Sequence, residues 1–165
     1  MARRGWRVPA LVLVAVSVIA AGCGEEGAAG GATVTVYVSA PLRGEEAGAG
    51  QRLCDEAREQ AGQGRGDEEE LKLRIVCLDA AGTDDRWTLA KVGANARQAT
   101  EDATAIAYIG EPDPKARKQS SPIVAAAEIA QIGRAGGREA VAQIQAALRE
   151  SDSADPRDAV FDALG

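Results

Sequence analysis

Three cysteines and no histidine set the chemistry open to this chain. Cys23 closes the run Ala20-Ala21-Gly22-Cys23, which follows an apolar stretch from Val8 to Ala21 and a basic start carrying Arg3, Arg4 and Arg7. A positive segment, a short apolar stretch and a small-residue cleavage site ending in a thiol form an export signal whose cysteine receives lipid. Cleavage there makes residues 1–22 a removed leader and Cys23 the first residue of an exported chain, anchored to the outer face of the cell membrane. The apolar run is too short to cross roughly 30 Å of hydrocarbon as a mature helix. A plain secretory signal and an uncleaved anchor are the other readings, and Ala20 stands where lipidation signals more often carry Leu.

With Cys23 lipidated, Cys54 and Cys77 remain as an even pair in an oxidising compartment. They either bridge or lie buried as separate thiols. A bridge would close a loop worth on the order of 3 kcal/mol by chain entropy. No C-x-x-C spacing is present, so redox catalysis is not expected.

Without histidine the chain lacks the usual general base near neutral pH, the usual partner of a Ser or Cys nucleophile and the usual zinc ligand. A hydrolase built on Asp79, Asp84 or Asp85 would have no paired base and no metal set. The run Asp67-Glu68-Glu69-Glu70 reads as a solvated loop, since no turn glycine or second ligand set frames it. An enzyme is not expected, nor is a metal or cofactor. Beyond the leader, 16 basic residues face 25 acidic ones, a formal charge of −9. Bases interspersed with acids form no phosphate-binding patch, which excludes nucleic acid as a partner.

The elements that position these residues alternate in type. Gly24 to Ala32 has tether composition, making residues 23–32 a flexible link. Thr33 to Ser39 alternates Thr and Val around Tyr37 as a strand does, and Pro41 to Gly44 closes it. A helix is expected over Glu46 to Gln60, with Leu53, Cys54 and Ala57 at helical spacing, then a polar loop from Gln63 to Glu70. Leu71 to Asp79 reads as a second strand, Leu89 to Asp102 as a helix, Ala105 to Ile109 as a third strand and Ile129 to Ile132 as a fourth. Pro122 inside Lys115 to Glu128 either kinks a helix or opens a shorter one capped by Ser120 or Ser121. After a joint at Arg134 to Gly137, Ala140, Val141, Ile144, Ala147 and Leu148 stripe another helix, and Asp155-Pro156 caps and starts the last. Strands alternating with helices read as an α/β fold with a parallel sheet of three to four strands and right-handed crossovers. In such a sheet an early-helix Cys54 and a late-strand Cys77 can lie at one height.

The segment Val34-Thr35-Val36-Tyr37-Val38-Ser39-Ala40-Pro41-Leu42-Arg43-Gly44 resembles the opening of the type I periplasmic binding proteins. In particular it resembles the branched-chain amino acid (leucine/isoleucine/valine) binding lipoproteins of ABC importers. Arg74 to Ala81 is similar to that family's second strand and acidic loop, and Asn95 to Ala99 with Ala107 to Glu111 to its second helix and third strand. The resemblance implies a partial N-terminal lobe over 33–132. The closing helices of the family resemble Gly137 to Val141, Ala146 to Leu148 and Arg157 to Val160, in the C-terminal helical segment 133–165. The second lobe has no counterpart, as if an internal segment were lost near Gly133.

The resemblance further implies an extracytoplasmic, non-catalytic binding protein, an importer permease as partner and a small amino-acid-like solute. Its candidate ligand contacts fall on Ser39, Glu111, Asp113 and Lys115. The Ser/Thr-rich ligand turns are replaced, however, by Pro112-Asp113-Pro114-Lys115-Ala116-Arg117 and Gly133-Arg134-Ala135. Proline has no backbone donor, and charged side chains stand where hydroxyls would meet a zwitterion. The alternative is a shortened relative that does not transport, a tethered structural or interaction protein with an exposed sheet edge, or a remnant.

Overall fold

Alternating residues of Thr33–Ala40 (β1) send Val34, Val36 and Val38 to one side of a sheet and Thr35, Tyr37 and Ser39 to the other, with every residue after Thr33 buried. The structure is a computed structural model that describes residues 32–63, 71–133 and 135–165. The leader, Cys23, nearly all of the tether, the acidic run 67–70 and Arg134 lie outside the described residues.

Four parallel strands form the sheet: β1, Lys72–Asp79 (β2), Ala105–Ile109 (β3) and Ala130–Ile132 (β4), in the order β2-β1-β3-β4. Each crossover is helical: Ala47–Gln63 (α1), Leu89–Glu101 (α2) and Pro114–Ala125 (α3) precede β2, β3 and β4. Gly137–Glu150 (α4) and Pro156–Leu164 (α5) close the chain. A parallel sheet needs both faces covered. Here α1, α4 and α5 cover one face through Cys54, Ala57, Val141, Ile144 and Val160, while α2 and α3 cover the other through Ala96, Ala99 and Val124. The C-terminal helices thus share one core with β1 and α1.

Register carries one irregularity. Thr35 pairs with Ala105 but Val36 pairs with Ala107, so Ile106 is an extra residue in β3. A bulge reverses the alternation beyond it. Tyr108 therefore comes opposite Tyr37, on the α2 side, and Ile109 opposite Val38, on the α1 side.

Of the two readings of Pro122, the structure has the longer helix and not the shorter one capped by Ser120 or Ser121: Asp113 Oδ1 accepts from the N–H groups of Lys115 and Ala116, and Pro114 takes the first helical position. Aspartate before proline satisfies the orphan donors earlier in the chain, so Pro122 falls inside the helix. The stretch expected as a joint ends in a packing contact. Gly137 begins α4 so close to α1 that a Cβ there would lie 2.0 Å from the Leu53 carbonyl oxygen. Helix α1 also runs three residues beyond expectation, its end joined to α4 by a Gln60 Nε2 to Gln145 Oε1 bond of 3.1 Å.

Candidate functional site

At the carboxyl edge of the sheet β1 ends in Ala40-Pro41, β3 in Ile109-Gly110 and β4 in Ile132-Gly133. From that edge α1 departs over one face and α2 and α3 over the other, which makes the gap between β1 and β3 the topological switch point, where open α/β sheets take ligands. A cleft of about 740 Å³ opens there. Pro41, Gly50 and Leu53 form one wall, Pro112, Ala116 and Trp87 the other, and Ile109 and Gly110 the floor.

Local chemistry holds each wall. Asp79 accepts from the N–H groups of Leu42 and Ala81, both at 2.9 Å, and from Arg43 Nε at 2.6 Å. Arg43 also donates to the Ala81 carbonyl at 3.0 Å and lies 3.6 Å from Asp85. The loops after β1 and β2 are thereby tied together. Burial pushes the Asp79 carboxyl up, but these donors outweigh it and hold it below the usual range. A carboxylate so occupied acts as a loop clamp.

Below the floor lies a buried polar network. Tyr108 donates to Glu111 Oε1 at 2.9 Å, Asn95 Nδ2 donates to Ser39 Oγ at 2.9 Å, and the Ser39 hydroxyl adjoins both Tyr108 and Glu111. Desolvation raises both acids, and for Glu111 the bonds from Ser39 and Tyr108 and the charge of Arg117 offset only part of the rise. Gly110 sits between network and cleft at φ +137°, and a Cβ there would lie 2.5 Å from the Ser39 carbonyl oxygen. Only glycine fits that turn.

Arg117 ties the ends of β3 and β4. Its guanidinium donates to the carbonyls of Glu111 (2.9 Å) and Gly133 (2.9 Å) and, more weakly, to Pro112 (3.4 Å). Gln131 Nε2 adds a 3.0 Å bond to the Gly110 carbonyl, and Ser121 bonds the Gln131 side chain.

Of the four candidate contacts, Glu111 and Asp113 line the cleft. The Glu111 side chain is buried and bonded to Tyr108, and one oxygen of Asp113 is engaged in capping α3. Ser39 is fully buried on the α2 side of the sheet, because the period of β1 turns it away from the cleft. Lys115 is exposed outside the lining. Sequence reasoning missed Pro41, Gly50, Gly110 and Trp87. A tryptophan in a polar loop of a chain with few aromatics was an available signal. Cys54 and Cys77 are joined as a disulfide with Cα atoms 6.1 Å apart, fastening α1 to β2 one residue from Leu53 in the cleft wall. Among the described residues no group of three or more His, Cys, Asp or Glu is placed to hold a metal, and no helix is long and apolar enough to cross a membrane.

No protein family model matches the chain, and no curated protein matches it. Solved structures do. A solute-binding protein of an ABC transporter from R. palustris, solved with 4-hydroxybenzoate, is 15% identical with a TM-score of 0.52, over 61% of this chain and 26% of that one. A possible leucine/isoleucine/valine-binding protein from Rhodopirellula baltica is 18% identical with a TM-score of 0.51, over 62% and 27%. A leucine-binding protein from Thermotoga maritima is 19% identical with a TM-score of 0.49, over 61% and 27%. The chain has the fold of part of a type I periplasmic binding protein, and it spans about a quarter of the length of these structures.

Proposed function

We propose that the chain is the solute-holding lobe of an extracytoplasmic binding protein that serves an ABC importer, tethered through Cys23 and without catalysis. The cleft of about 740 Å³ at the β1/β3 switch point carries the reading. Its lining is mainly apolar, which suits a small solute with an apolar body. The neighbours above include one solved with 4-hydroxybenzoate and one described as a possible leucine/isoleucine/valine-binding protein, both consistent with such a solute. In the narrower form of the proposal, a branched-chain amino acid packs its side chain on Leu53, Ile109 and Ile132 and turns its ammonium toward Asp113. Ser39 supports that floor from beneath. An importer permease is the partner.

A second reading, a non-transporting relative acting as a tethered interaction protein, is favoured by one observation. Among the described residues β4 is an edge strand, with β3 on one side and no strand on the other. Calorimetric melting of the full chain with and without a concentrated amino-acid pool separates the two. Solute at about 100 times its dissociation constant adds roughly 2.7 kcal/mol to a competent binder. A raised midpoint supports the solute-holding lobe, and a cooperative but unmoved transition favours the interaction protein.

A further inference from the structure

We infer that Trp87 is the specificity-determining wall of this cleft and selects solutes that present a flat aromatic ring, an inference that rests on the solute-binding reading above in its general form and replaces the branched-chain amino acid of its narrower form. Among the described residues Trp87 is the sole aromatic side chain lining the cleft. Of the other lining residues Ala40, Ala49, Gly50, Gly110, Gly133 and Gly136 supply almost no side-chain volume, which leaves the cleft of about 740 Å³ that the half-buried Trp87 lines roomy enough for a ring.

The indole is held in place before any solute arrives. Trp87 pairs with Ala81 in an antiparallel bridge and packs against Ala80, Val92 and Ala116. The next residue, Thr88, donates its N–H to the Ala80 carbonyl at 3.1 Å and caps α2. On the other side of the bridge, Arg43 grips the Ala81 carbonyl at 3.0 Å. A wall fixed from both ends loses little freedom on binding. Offset stacking of a ring on such a wall adds to what area burial contributes, and an aliphatic ring of the same size cannot reproduce it.

The test compares benzyl alcohol with cyclohexylmethanol, equal in skeleton but flat against puckered, by titration calorimetry on the full chain in detergent with blank titrations into empty micelles. Benzyl alcohol is expected to bind about tenfold more tightly. Trp87→Phe keeps a preference and Trp87→Leu abolishes it, with the melting transition of each variant reporting its folding. As a check independent of those variants, Trp87 is the single tryptophan beyond the leader, and the emission of the processed chain is expected to change saturably with benzyl alcohol alone. Equal affinity for the two alcohols, or a preference that survives Trp87→Leu, overturns the inference. A chain that takes neither alcohol yet is stabilised by the amino-acid pool also overturns it while keeping the solute-binding reading. A chain that responds to none of these overturns both.

Discussion

The Tyr108 hydroxyl donates to Glu111 Oε1 across 2.9 Å with both side chains buried, directly beneath the turn that floors the cleft. This bond closes a network that runs through Ser39 to Asn95 and joins β1, β3 and α2. The bulge at Ile106 is what brings Tyr108 to the same side of the sheet as Ser39.

Burial leaves Glu111 with a carboxyl raised above its ordinary value despite its hydrogen bonds. The folded chain holds this proton more tightly than the unfolded chain does. Its contribution to stability is therefore full below the unfolded carboxyl range and is lost as pH rises through the folded value. Glu111→Gln keeps an acceptor for Tyr108 and removes the charge. Its melting midpoint should exceed that of the wild type at pH 8, with the gap closing as pH falls toward about 4. A variant less stable than wild type at pH 8 would refute this. Tyr108→Phe leaves a buried acceptor short of its donor and should cost about 1–3 kcal/mol.

Asp102 has the opposite sign. The Thr104 hydroxyl and N–H, Tyr37 and Arg74 together outweigh burial and draw its carboxyl down from 3.8 to about 2. Its contribution is present above the unfolded value and lost as pH falls through the folded one. Asp102→Asn should be less stable at pH 7 by on the order of 2 kcal/mol, from weakened charge-assisted bonds. Acid melts check the sign: the deficit should shrink between 3.8 and about 2.

The Cys54–Cys77 bridge links residues 23 apart in sequence. Cys54→Ser with Cys77→Ser, or reduction of the native chain, should lower stability by about 3 kcal/mol through the freed unfolded state. Thiol titration of the unfolded, unreduced protein tests the bond directly. Reactive sulfur from both residues would contradict it.

Arg157 docks α5 to the amino end of β3, donating to the carbonyls of Ala105 (2.9 Å), Ala103 (2.9 Å) and Asp102 (3.4 Å). Arg157→Ala should cost about 2 kcal/mol and speed proteolysis between Ser151 and Asp155. Arg157→Lys should recover only part, because an ammonium cannot reproduce the planar fork. Unchanged proteolysis in Arg157→Ala would show that α5 is held by Val160 and its apolar neighbours alone.

Lipid attachment is proposed at Cys23. In a lipoprotein-processing host grown with labelled palmitate, wild-type chain should carry label and sediment with membranes, and Cys23→Ser should do neither. Label retained by Cys23→Ser would discard the assignment.

What the sequence determined by itself is local. The period of two in Val34, Val36 and Val38 marks β1 and its faces, the stripe Ala140, Val141, Ile144 and Ala147 marks α4, and Asp155-Pro156 marks the start of α5. Alternating strands and helices then leave few topologies, because parallel crossovers have one hand. The resemblance carried by Val34 to Gly44 pointed to the same fold, and the solved structures agree with it. Tertiary structure alone decided the rest. One extra residue at Ile106 reverses the faces of β3, and nothing in Ala105 to Ile109 announces it, since every residue there is apolar or aromatic and all are buried. Competition between caps was settled by which side chain reaches free N–H groups, and Asp113 does so before Ser120 can. Nothing in the sequence marks Arg117 and Arg157 as ties between strand ends, because the carbonyls a guanidinium can bridge are brought together only from distant parts of the chain. The cleft follows the same logic: its walls come from segments as far apart as Pro41 and Gly133, and only the sheet order β2-β1-β3-β4 makes them neighbours.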